Sequence, residues 1–141
     1  MRIYLSKVRG VTLVGAFLCS VSITTAFAND VTIVAAEFTQ DGQRSWKVDV
    51  SLLHQDSGWD HYANMWRVVD TKGTVLAERE LLHPHVNEQP FTRSLNNVPH
   101  PAQGSMVFIE ARDKVHGWSP QRFEVDLSQA QQGHLRVEMP K

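Results

Sequence analysis

The sequence predicts an all-β fold, an antiparallel sandwich of about seven strands, and three observations carry that expectation. Short runs rich in Val, Ile, Phe and Trp alternate apolar and polar residues with a period of two, which is the pattern of half-buried strands. Clusters of Gly, Pro, Asn and Asp separate these runs at short spacing. No segment holds a helical period over a confident length.

The chain begins with what reads as an export leader rather than a piece of the fold. Arg2, Lys7 and Arg9 form a positive start, Val11–Leu18 is apolar, and Ala26-Phe27-Ala28 offers small residues for cleavage before Asn29. The apolar run is too short and too interrupted by Ser and Thr for a membrane span. Cys19 follows Leu18, where lipid attachment needs a small residue, so lipidation is not expected and the cysteine leaves with the leader. The expected organisation is a signal peptide over 1–28, a sandwich over 29–128, and a tail or added edge strand over 129–141.

Of the 141 residues, 113 remain after such cleavage, enough for one domain. They carry 11 Lys and Arg against 15 Asp and Glu, a net charge of −4 that argues against nucleic acid or an anionic membrane as partner. No cysteine remains in this part, which excludes a disulfide, a thiolate ligand and a cysteine nucleophile. Such a chain needs a real apolar core, and a periplasmic or secreted location follows from the leader.

The strands follow in order. Val31–Phe38 is rich in β-branched residues and ends at the turn signal Gln40-Asp41-Gly42. In Trp46–Leu52, Trp46, Val48, Val50 and Leu52 share one face, and Lys47, Asp49 and Ser51 the other. Asn64–Val69 resumes after the break Gln55–Asp60 and ends in Asp70-Thr71-Lys72-Gly73. Thr74–Leu82 could be helical on propensity, but its place after a short Gly turn makes it a hairpin partner. Phe91–Leu95 is a short strand before the loop Asn96–Gly104. Met106–Ala111 is a core strand, Arg112–Pro120 a loop and Arg122–Leu127 a last strand. This spacing suits a sandwich of immunoglobulin or fibronectin type III kind.

Alternating strand direction sends every second connection to the same pole. One pole receives His54, Asp56, Trp59, Asp60, His61 and Tyr62, then His83, His85, Asn87 and Glu88, then Asp113, His116 and Trp118. Its centre is Leu81–Leu95, where Pro84 and Pro90 fix φ and remove two main-chain donors, making a stiff loop suited to positioning imidazoles and a carboxylate. Neutral imidazoles with a carboxylate suit Zn²⁺ or Cu²⁺. The expected metal ligands are His83, His85 and His116, with His61 or Glu88 completing the shell. Trp59, Tyr62, Trp118, His54, Arg93 and Asp113 are the expected contacts for a small ligand or protein partner.

The blander alternative has the histidines capping loops on main-chain carbonyls or on Asp56, Asp60 and Asp113. Trp66 is expected to be the core tryptophan, and Arg93 and Arg112 to form an ion-pair network with Glu88, Glu110 and Asp113. Thioether copper chemistry fits poorly, because Met65, Met106 and Met139 are scattered. No GxSxG elbow supports a hydrolase.

The fragments Gly58–Trp66, Leu81–Leu95 and Ala111–Trp118 resemble those of a family of small, uncharacterised exported bacterial proteins. The likeness covers roughly the middle half of the mature chain and implies no activity. The expected function is a non-enzymatic periplasmic binding or accessory domain whose His-rich pole takes Zn²⁺ or Cu²⁺. The second expectation is a metal-free interaction module using the aromatic residues of the same pole, and the third is a hydrolytic enzyme built on a His-bound metal.

Overall fold

Trp46, Val48, Val50 and Leu52 are all buried, and the odd positions between them face outward, so the strand Ser45–Leu53 (β2) has the period its sequence dictates. The computed structural model describes residues 29–141, and the expected leader lies outside the described residues. The strand Thr32–Gly42 (β1) pairs with β2, but an extra residue at Val34 sits between the pairs Ile33↔Leu52 and Ala35↔Ser51. This bulge switches the inward parity from Val31 and Ile33 to Ala36 and Phe38, keeping both halves of a long strand in contact with the core.

Among the described residues the remaining strands are Ala63–Asp70 (β3), Val75–Glu80 (β4), Phe91–Pro99 (β5), Met106–Asp113 (β6), Gly117–Trp118 (β7), Phe123–Asp126 (β8) and His134–Glu138 (β9), with a 3₁₀ turn at Leu127–Gln129. They form two antiparallel sheets. One has the order β5-β2-β1-β9; the other runs β4-β3-β6-β7, with β8 also pairing β6. The architecture is therefore the expected all-β sandwich. Thr74–Leu82 gives a hairpin strand rather than a helix, with Trp66 opposite Arg79 and Val68 opposite Ala77.

Two of the expected loops hold strand residues: β5 extends into Asn96–Gly104, and Gly117–Trp118 within Arg112–Pro120 pairs with Arg112 and Asp113. The strand expected to end at Leu95 runs on to Pro99, because Asn96 and Asn97 together oppose Lys47 as a bulge between the pairs Val48↔Leu95 and Trp46↔Val98. Asn97 takes φ +56°, which Asn tolerates better than most side chains, and Val98 returns to the core. Residues 129–141 contribute an edge strand: β9 pairs along β1 from Ala35↔Glu138 to Thr39↔His134. There His134 Nε2 lies 2.8 Å from Glu37 Oε1, and Arg136 donates to the other oxygen of Glu37.

The core between the sheets is apolar, and Trp66 lies fully buried within it. On the outer face Glu110 accepts from Arg67 at 2.8 Å and from Arg122 at 3.1 Å, and the Arg67 guanidinium covers the Trp118 ring at 3.8 Å. Removing the Trp66 side chain leaves a large void, and Trp66→Ala should cost about 3–5 kcal/mol in chemical denaturation. Trp66→Phe should cost less, because it keeps ring volume and deletes an indole N–H that has no hydrogen-bond partner among the described residues.

Candidate metal centre

The inward-facing column of β2 does not stop at Leu52. Its next position at the same parity is His54, buried where the strand leaves the core. The inward column of β6, Val107, Ile109 and Ala111, likewise continues into Asp113, which is fully buried. His61 stands two positions before the buried Ala63 that begins β3. Three side chains from both sheets thus meet at one end of the sandwich. One donor atom each from His54, His61 and Asp113 lies within 4.8 Å of the others, a group that could hold a metal ion.

Asp56 fixes the first of them. Its Oδ1 lies 2.6 Å from His54 Nδ1 and accepts the Ala63 main-chain N–H at 2.9 Å, while Oδ2 accepts the His85 main-chain N–H at 2.7 Å. With Nδ1 turned to Asp56, His54 directs Nε2 to the carbonyl oxygen of Asn29 at 3.0 Å. The ring orientation is therefore set from both sides.

Asp113 is built differently. Its Oδ1 accepts the main-chain N–H groups of Val115 and His116, each at 2.7 Å, and lies 3.1 Å from His116 Nδ1. Burial pushes its pKa up, but those two N–H groups and the His116 ring outweigh burial and hold it below the usual carboxylate range. Its Oδ2 is buried with no hydrogen-bond partner among the described residues, and so is His61 Nε2, 3.3 Å from Oδ1. The His61 ring packs edge-on against His54 at 5.0 Å and against His116 at 4.9 Å.

The other expected residues are placed elsewhere. His83 and His85 pack together at 4.6 Å and border a shallow surface hollow with Asn87 and Glu88, and neither imidazole joins the converging donor atoms. His85 stacks on Phe91 at 3.9 Å, and both of its ring nitrogens are buried without a hydrogen bond. Its Nδ1 lies 3.9 Å from Asp56, beyond hydrogen-bonding distance. Glu88 turns to Arg93 at 3.1 Å. The expected network linking this loop to β6 does not form, since Arg112 donates to Asn64 and Asp113 is taken by histidines and main chain.

Trp59 is 64% exposed and meets Tyr62 edge-on at 6.1 Å, with the Trp59 carbonyl accepting from Lys114 Nζ. Trp118 lies on the outer sheet face beneath Arg67. Sequence reasoning placed His54 and Asp113 at this pole but not among the metal ligands, and Asp56 only as a hydrogen-bond partner. The available signal was parity: each extends a run of inward residues by one more step of two. Nothing in the sequence marked the Asn29 carbonyl.

Two outcomes follow from this geometry. Asp56→Ala leaves a buried imidazole and two main-chain donors unpaired, so it should destabilise the fold by about 3–5 kcal/mol in urea titrations. Burial, then the positive charge of Arg93, then that of His83 hold the His85 pKa below its ordinary value. A depressed histidine favours the state in which it stays neutral. Its share of stability is therefore complete above the unfolded-state pKa of about 6.5 and falls away as pH drops toward the folded-state value. The urea midpoint should decline between about pH 7.5 and 5.5, and less steeply in His85→Leu than in the wild-type chain.

The chain is 38% identical over 97 residues to a protein of Halomicrobium mukohataei described as a "Putative lipoprotein"; the match covers 69% of this chain and 45% of that protein. The chain thus spans less than half of this relative's length. No family model matches the chain, and no solved structure does. Among the described residues, no helix is long and apolar enough to cross a membrane.

Proposed function

We propose that this is an exported, non-catalytic accessory domain that binds a divalent transition-metal ion, Zn²⁺ or Cu²⁺, at the loop pole through His54 Nε2, His61 Nε2 and the free oxygen of Asp113. The observation that carries this reading is the pair of buried, unpartnered atoms, His61 Nε2 and Asp113 Oδ2, in a group whose donor atoms converge within 4.8 Å. Metal–ligand bonds of about 2.1 Å in tetrahedral geometry separate neighbouring donors by about 3.4 Å. His61 Nε2 stands 3.3 Å from Asp113 Oδ1, the hydrogen-bonded oxygen of the same carboxylate, so the two side chains are already neighbours and the ion would be taken by the unpartnered Oδ2 of that group. Asp56 on His54 Nδ1 and the main chain on Asp113 supply the outer support that orients ligands. An exported location draws support from the leader pattern and from the relative's description as a lipoprotein. His83, His85 and Glu88 take no part in this set.

A second reading, a metal-free interaction module, draws on Trp59. Its large exposed ring beside Tyr62 suits the aromatic anchor of a protein or small-ligand contact.

Thermal melts with and without metal separate the two. Free metal a hundredfold above its dissociation constant stabilises the native state by about 2.7 kcal/mol. Zn²⁺ or Cu²⁺ should raise the melting temperature of the wild-type chain and a chelator should reverse the rise. His61→Ala should abolish the response, whereas His83→Ala and His134→Ala should keep it. If neither ion moves the wild-type melt, the interaction-module reading takes its place.

A further inference from the structure

We propose that the chain terminus created by leader removal before Asn29 is itself part of the ligand shell, with the Asn29 α-amine and carbonyl oxygen joining His54, His61 and Asp113 around the ion. This inference rests on the metal reading above and on cleavage at the Ala28–Asn29 bond.

The Asn29 carbonyl oxygen lies 3.0 Å from His54 Nε2, although 25 residues separate the two. His54 Nδ1 is committed to Asp56, so Nε2 is the nitrogen that can coordinate, and Asn29 is the group it faces. Donors on one ion at about 2.1 Å are separated by about 3.0–3.4 Å, depending on geometry, so the oxygen already stands at the distance of a neighbouring ligand. An ion replacing the Nε2 proton would sit about 2.1 Å out along the ring axis, so the oxygen would have to swing off that axis to remain a ligand beside it.

The strand behind it keeps Asn29 in place. Val31 is buried, and the Gln121 side-chain amide bonds both main-chain groups of Ile33, accepting from its N–H at 2.7 Å and donating to its carbonyl at 3.1 Å.

The chemistry of residue 29 depends on whether a peptide bond precedes it. An amide nitrogen has its lone pair delocalised into the carbonyl and, with its proton in place, offers Zn²⁺ no donor. A free α-amine is one, and with the carbonyl oxygen of the same residue it closes a five-membered chelate ring. Cleavage therefore turns a three-side-chain site with one weak oxygen into a chelating one. The complete centre exists only in the processed, exported protein, and the unprocessed chain holds metal weakly.

Two chains test this: one starting at Asn29 with a free amine, released from a fusion by a protease that leaves no added residue, and one carrying four extra residues ahead of Asn29. Zn²⁺ affinity is read by competition with a chromophoric chelator, and Co²⁺ supplies a visible spectrum that reports the donor set. The extended chain should bind Zn²⁺ about tenfold more weakly, about 1.4 kcal/mol, and give a different Co²⁺ spectrum. The metal-free melts of both chains should coincide, which shows that the extension leaves the fold intact. His61→Ala should abolish binding in either chain. Equal affinities and identical spectra would overturn the role of the terminus while leaving the side-chain site standing. Failure of both chains to bind would overturn the metal reading itself. N-terminal sequencing of protein exported with its own leader should return Asn29, and any other first residue would also overturn the proposal.

Discussion

The carboxylate of Asp56 joins three stretches of chain that regular pairing leaves separate. It bonds the His54 ring at the end of β2, the Ala63 N–H at the start of β3, and the His85 N–H inside the loop between β4 and β5. A buried carboxylate without partners would be a large liability, and three donors are what make this one tolerable. In return it gives the loop pole a fixed shape. Gln89 adds to the same joint, accepting from the His54 N–H and donating to the His85 carbonyl, so the proline-flanked loop is sewn to β2 by main-chain as well as side-chain bonds. Polar groups at the end of the sandwich do here what apolar packing does in its middle.

The contrast between the two buried aspartates separates structural duty from free chemistry. Both oxygens of Asp56 are used by groups belonging to the fold. Asp113 uses one oxygen on the turn that follows β6, closing Val115 and His116 over itself, and leaves the other buried without a partner among the described residues. Its depressed pKa keeps it anionic, with the main-chain N–H groups of its own turn as the stabilising partners. A carboxylate that is charged, buried and half-satisfied, beside an imidazole nitrogen also lacking a partner, is the kind of local conflict expected at functional positions rather than in a core optimised for packing alone.

Much of this arrangement was legible in the sequence because strand period and turn chemistry are local properties. The alternation in Trp46–Leu52 appears unchanged as the buried column of β2, and the Asp70–Gly73 signal is the β3–β4 turn. What local reasoning could not reach was parity beyond irregularities. The bulge at Val34 reverses which residues of β1 face inward, and the one at Asn96 and Asn97 extends β5 four residues past Leu95. Both depend on the partner strand. The same limitation shaped the site. His83-x-His85 stands out as a spacing motif, yet the loop spends His85 on stacking with Phe91. His54 and Asp113 lack a motif, yet they sit at the ends of inward columns in facing sheets. Counting parity one step past the last apolar residue of each column picks them out.

The position of the centre also bears on how the sandwich is closed. An apolar core open at its end must be capped, and a cap made of Leu or Phe would do so at no electrostatic cost. This pole is capped instead by imidazoles and carboxylates, of which His54 and Asp56 are fully paired, with each other and with main-chain groups, and His61 and Asp113 are not. Each buried polar atom without a partner costs about 1–3 kcal/mol, so the incomplete half of the cap is a debt that pairing alone does not settle. A cation shared by the two unpartnered atoms would remove both penalties at once, and His54 as a third ligand would tie it to the facing sheet. The complete half would then act as its rigid support, since His54 reaches the centre only in the orientation that Asp56 imposes.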